Sequence, residues 1–101
     1  MFVCNLTIKV DDEIEVQWLQ WQKEEHIPEI MATNLFITNN FFKLLGQDDS
    51  EGSTYVLQYL TDTNEKYTAY LTEYAPALNE KALQKWGNSF VVFGTLMQTV
   101  H

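Results

Sequence analysis

Cysteine occurs once in this chain, at Cys4, so no internal disulfide can staple it and its stability has to come from packing. Cys4 lies on the apolar side of an alternating segment, which points to a buried, inert thiol; a nucleophilic one would want a basic partner, and none is in view. Proline and glycine are scarce as well, with two and four residues, unlike the composition of low-complexity or disordered chains. Basic residues number six against fourteen acidic ones, a net charge of −8. With no basic patch to interrupt that field, phosphate backbones and anionic lipid are repelled, which argues against nucleic acid and membrane surfaces as partners.

Long apolar runs are missing too, and every one falls far short of the roughly 20 residues that a membrane helix needs. The opening MFVCNLTIKVDD alternates and has no basic n-region, so it does not resemble a signal peptide, and a cytoplasmic location is the expectation. There is no glycine-rich dinucleotide or phosphate loop, no CxxC, no His-Glu-x-x-His and no nucleophile elbow, so neither a cofactor nor a metal is expected. The acidic stretch Gln47 to Gly52 lacks the full calcium-loop spacing and reads as a solvated hairpin loop.

What is present is a folding composition. In 101 residues, 46% hydrophobic and 14% aromatic, there is enough for one core, and a single domain over 1–101 is expected. Phe2, Cys4, Leu6, Ile8 and Val10 alternate with Val3, Asn5, Thr7 and Lys9, the pattern of a half-buried strand. Asp12 and Glu15 have capping-box spacing ahead of a helix expected from about Glu13 to Glu25 or His26, and Pro28 opens a further short helical piece. A second strand is expected over Leu35 to Leu45, with a bulge at Asn39-Asn40, and a third over Ser53 to Thr61. Asp62 and Glu65 repeat the capping-box spacing before the stripe of Tyr67, Tyr70, Leu71 and Tyr74. Pro76 restarts that helix and Gly87 stops it. Ser89 to Val100, with Gly94 in its middle, is the last strand.

Two similar segments, Glu25-His26-Ile27-Pro28 and Glu73-Tyr74-Ala75-Pro76, lie 48 positions apart. Each closes the helix of a strand–helix unit, as two β-α-β halves would. The order β-α-β-β-α-β predicts an α+β, ferredoxin-like sandwich with helices on one face of a four-stranded antiparallel sheet. The second and fourth strands carry large apolar groups at both sets of alternate positions. Ile37, Phe41 and Leu45 oppose Phe36, Phe42 and Leu44, and Phe90, Val92 and Leu96 oppose Val91, Phe93 and Met97. One of these faces would be left bare by a single helical layer, and a homodimer through the sheet faces covers it.

The candidate site residues follow from that layering. His26, between two glutamates and near Trp21, is the one internal histidine. It lacks companions for a metal site but is chemically able to act as a proton-transfer residue, although a histidine at a helix C-terminus also has a purely structural role to fill. If the sheet leaves a cleft beneath the helices, Asn5, Trp21, Asn39, Gln58 and Tyr59 are the candidate ligand-binding residues, with Thr7 beside them. Most of the aromatic stripes should fill the helix–sheet interface, and Gly94 reads first as a bulge or close approach. The RNA-binding version of this topology needs a basic sheet, which this chain does not have.

The run Trp18 through Ile30 (WLQWQKEEHIPEI), together with Thr54 to Tyr59 and Tyr74-Ala75-Pro76-Ala77-Leu78, resembles a small bacterial domain family of unknown function, best represented in Bacteroidetes, within the dimeric α+β barrel superfamily. The resemblance extends over about residues 2 to 98. That superfamily includes antibiotic-biosynthesis-type monooxygenases, haem-degrading enzymes, EthD-like proteins and muconolactone-isomerase-like proteins. Trp21 to Pro28 is similar to the EthD-like helix ending, whose histidine can face the pocket, so the resemblance carries over His26 and its aromatic neighbour. The haem-degrading pattern is incomplete here. The expected function is a dimeric small-ligand-binding or regulatory domain. The alternatives are a cofactor-independent monooxygenase or isomerase-like enzyme for a small aromatic or hydrophobic compound, using His26 for proton transfer, and a purely structural interaction protein.

Overall fold

The computed structural model describes residues 1–100. The alternating opening forms β1 (Phe2–Val10), and three further strands complete its sheet: β2 (Thr38–Lys43), β3 (Ser53–Thr61) and β4 (Phe90–Gln98). Their order is β2-β3-β1-β4 with every neighbour antiparallel, the arrangement expected of two interleaved β-α-β halves. Register assigns each residue a face. Cys4, Leu6 and Ile8 line up with Tyr59, Leu57 and Tyr55 of β3 and with Leu96, Gly94 and Val92 of β4. These residues face the helices. The core gathers there, with Ile8, Val10, Tyr55, Leu57 and Tyr59 buried against Trp18, Trp21, Ile30, Phe36, Tyr70 and Leu78.

The first helical segment has three parts: α1 (Glu15–Trp21), a π turn over Gln22–His26, and α2 (Ile27–Met31). It starts later than the capping box implies. Asp12 contributes its carbonyl rather than its side chain, and Ile14 stands at the N-cap with no side-chain hydrogen bond. The segment also does not end at Glu25 or His26. The Ile27 N–H donates to the Gln22 carbonyl five residues back, and this wider turn carries the chain into α2, where Pro28 occupies the first turn and needs no donor.

The second segment breaks cleanly at Tyr74 between α3 (Asn64–Glu73) and α4 (Ala75–Trp86), with Pro76 in the first turn of α4. Pro28 and Pro76, the two ends of the sequence echo, therefore hold equivalent positions. At the start of α3 it is Thr63, not Asp62, that caps, its hydroxyl accepting from the Lys66 N–H at 3.2 Å. Asp62 instead pairs with the Lys66 ammonium at 3.0 Å. Gly87 ends α4 with φ 59°.

β2 is shorter than the expected Leu35–Leu45 and has no bulge. Its register runs without a break from Thr38↔Leu60 to Lys43↔Tyr55, through Asn39 and Asn40. β4 is likewise shorter than Ser89–Val100 and unbulged at Gly94, which sits directly opposite Leu6. In the β2–β3 loop Gly52 has φ +136°, and a Cβ there would stand 2.2 Å from the Val10 carbonyl oxygen. The loop can close onto the end of β1 only without a side chain at that point.

Candidate functional site

The helical layer covers β3 and β1 but stops short of β4, where Val92 and Leu96 stay exposed although they face the helix side. Gly94 lies between them. Where helix and sheet fail to meet, a pocket of about 540 Å³ opens, within the size range of small-molecule sites. Its apolar wall comes from Leu6 and Ile8 of β1, Leu57 of β3, and Phe90 and Val92 of β4, with Trp18 and Trp21 of α1 opposite. Its polar groups are Gln22 and His26 of the π turn, Asn79 of α4 and Asn88. None of the described residues lining it is an Asp, Glu, Lys or Arg.

His26 stacks on Trp21 with ring centroids 4.4 Å apart and planes 19° from parallel. Burial lowers its pKa to about 4, against the upward pull of Glu29 and with a smaller downward push from Lys81. The imidazole is therefore neutral at neutral pH. Those two charges are themselves joined by a Lys81–Glu29 bridge of 2.8 Å that ties α4 to α2.

The π turn decides which residues reach the pocket. Trp18 and Trp21 are buried before it, Gln22 at its first position, and Ile27 and Ile30 after it. The extra residue re-phases the apolar stripe and brings both ends of the turn, Gln22 and His26, to the pocket wall. Gln22 is only 3% exposed, and its Oε1 has no hydrogen-bond partner among the described residues.

A second, smaller pocket of about 250 Å³ lies alongside, sharing Leu6, Asn79 and Gly94 with the first. Tyr59 lines it together with Cys4, Tyr67 and Tyr70. The Tyr59 hydroxyl is buried and without a protein partner among the described residues. Burial raises the pKa of the Tyr59 and Cys4 groups, so both are held in their protonated forms, with the phenol available as a donor.

The candidates named from the sequence are thus divided. Trp21 and His26 meet in the larger pocket and Tyr59 lies in the smaller one. Asn5, Thr7 and Gln58 point the opposite way, because Asn5↔Gln58 and Thr7↔Val56 occupy the register positions of the helix-free face. There Asn40 Nδ2 donates to Gln58 Oε1 at 3.4 Å, and Gln58 Nε2 donates to Asn5 Oδ1 at 3.1 Å. Asn39 is on the helix side opposite Tyr59 but lines neither pocket. Gln22, Asn79 and Asn88 were not found from the sequence. For Gln22 the signal was present in the phase slip between Trp18/Trp21 and Ile27/Ile30. Among the described residues no group of three or more His, Cys, Asp or Glu is placed to hold a metal ion, and no helix is long and apolar enough to cross a membrane.

Sequence and structure comparisons place this architecture among known proteins. The chain belongs to the family described as Domain of unknown function (DUF4286), which matches residues 1–100. No curated protein matches it. Among solved structures it is similar to a dimeric ferredoxin-like protein from an uncultured marine organism, with a TM-score of 0.73 and 12% identity over 99% of this chain and 95% of that one. An ethd family protein from Bacillus halodurans gives a TM-score of 0.68 and 14% identity, covering 99% of this chain and 100% of the other. A dimeric ferredoxin-like protein of unknown function from Thermobifida fusca gives 0.60 and 14%, over 98% and 92%. At these identities the likeness establishes the fold, an α+β ferredoxin-like sandwich, and leaves the site to its own chemistry.

Proposed function

We propose that this domain is a homodimeric binding module for a small, predominantly aromatic or apolar molecule held between the helices and the sheet. The observation that carries this reading is the pocket over Gly94, with two tryptophans on one wall, apolar strand residues on the other and no Asp, Glu, Lys or Arg among the described residues that line it. A core closed by its own side chains, as a purely structural protein would have, leaves no such space.

His26 supports binding more than catalysis. An imidazole held near pKa 4 is a weak base at neutral pH, whereas a general base works best with a pKa near the operating pH. A role in a monooxygenase or isomerase-like reaction would require the ligand to raise that basicity. The neutral ring stacked on Trp21 instead offers a flat surface with one hydrogen-bonding edge.

Dimerisation belongs to the same reading and rests on the helix-free face. Register arranges that face in rows across the strands: Phe42, Val56, Thr7 and Phe93; then Asn40, Gln58, Asn5 and Thr95; then Thr38, Leu60, Val3 and Met97. Phe93 is 70% exposed and Phe42 52%, more apolar surface than a soluble monomer ordinarily leaves bare. A second copy packed face to face buries it, and the polar row between two apolar ones sets how the two sheets align. The dimeric ferredoxin-like neighbours support this assembly.

The binding claim is tested by titrating 15N-labelled protein with 2-methylnaphthalene and, separately, 2-naphthol. Shifts should concentrate at the Gly94 amide and the Trp18 and Trp21 indoles. No response to either compound, or one confined to Asn5, Gln58 and Phe93 on the other face, overturns the pocket as a binding site.

A further inference from the structure

We infer that the pocket selects an uncharged ligand carrying a hydroxyl or similar hydrogen-bonding group, and that Gln22 is the residue that reads it. The inference rests on the binding role proposed above and adds the chemistry of the ligand's polar end. Gln22 is 97% removed from solvent, yet its carboxamide oxygen Oε1 is enclosed and has no hydrogen-bond partner among the described residues. A buried polar group in that state costs free energy, and replacing it by an apolar residue of similar shape would remove the cost. A glutamine at this position is explained if a ligand group completes its hydrogen bonding.

Three further observations point the same way. Gln22 lines the pocket directly, so the carboxamide adjoins the space a ligand would fill. It stands at the first position of the π turn, its carbonyl accepting the i→i+5 bond from Ile27. Such turns recur at functional sites because they displace a side chain from its α-helical position. Finally, none of the described residues lining the pocket is formally charged at neutral pH, His26 being neutral. A carboxylate or ammonium entering it would lose its hydration with no counter-ion to replace it. A carboxamide can turn either end toward a hydroxyl, which both donates and accepts, so a phenol or alcohol on a flat apolar body matches the site on every count.

The experiment compares three compounds of one shape on the full chain, by calorimetry or tryptophan fluorescence: 2-methylnaphthalene, 2-naphthol and 2-naphthoate. The hydroxyl compound should bind at least about tenfold more tightly than the methyl isostere, since the site's polar group is left unpaired by the latter, and the carboxylate most weakly. Gln22→Met should erase the preference by weakening 2-naphthol about tenfold while leaving 2-methylnaphthalene unchanged or tighter, and it should raise the Tm of the free protein. Equal binding of the hydroxyl and methyl compounds, or tightest binding of the carboxylate, overturns the role of Gln22 while the pocket stands. Failure of all three to bind overturns both. Should Gln22→Met fold poorly, Gln22→Leu takes its place; because His26, Asn79 and Asn88 also line the pocket, a hydroxyl preference that survives the loss of the carboxamide overturns the role of Gln22.

Discussion

At His26 the opposing influences are burial, which disfavours the imidazolium, and Glu29, which favours it, and burial wins. The folded state then binds fewer protons than the unfolded chain between pH 6.5 and about 4. The stability contributed by the neutral ring is fully present above pH 6.5 and is lost as pH falls through that window. The shift corresponds to at most about 3–4 kcal/mol. NMR titration should place the His26 pKa near 4, and His26→Gln should flatten the fall in Tm between pH 6.5 and 4. A His26 pKa at or above 6.5 would contradict the half-buried, neutral ring. Gly52 gives a second residue-scale prediction: with its φ of +136° and the Val10 carbonyl in the way, Gly52→Ala should cost at least about 2 kcal/mol in denaturant unfolding, because the clash adds to the backbone strain. From the sequence this glycine reads only as part of a polar loop, because its constraint comes from a strand 42 positions away.

Among the elements, those decided by local pattern were legible. Strict alternation gave β1 and β3, and Pro76 and Gly87 bracketed α4. The misread boundaries were set by competition between neighbours. Asp62 and Thr63 both suit an N-cap, and the lysine four residues after Asp62 draws that carboxylate away, leaving Thr63 to cap α3. Thr63→Ala should therefore lower stability by about 1 kcal/mol, whereas Asp12→Ala, which removes no cap, should change the urea midpoint little. A larger loss from Asp12→Ala would restore the capping box read from the sequence. The facing of Asn5 and Gln58 was hidden for another reason. Alternation shows that two faces exist, but only the pairing of all four strands shows which one the helices cover. The absence of a bulge at Gly94 also follows from pairing, since a residue without a side chain fits an unbroken ladder as readily as a bulged one.

For the whole molecule, helices over only part of the sheet leave a pocket on one side and an apolar face on the other. Light scattering at micromolar concentration should give about twice the 11.8 kDa chain mass, and Phe93→Lys should shift it toward the monomer by placing a charge in the interface. A wild-type monomer at that concentration would remove the dimer. Gly94→Leu should fill the pocket instead, weakening 2-naphthol at least about tenfold with the dimer mass unchanged. The central claim, that the space over Gly94 is a binding site, is tested most directly by a crystal structure of the protein grown with 2-naphthol. The account predicts the ring system between the Trp18–Trp21 wall and Gly94, with its hydroxyl within hydrogen-bonding distance of the Gln22 carboxamide. An empty or side-chain-filled pocket, with the compound absent or lodged between the two sheets, would contradict it.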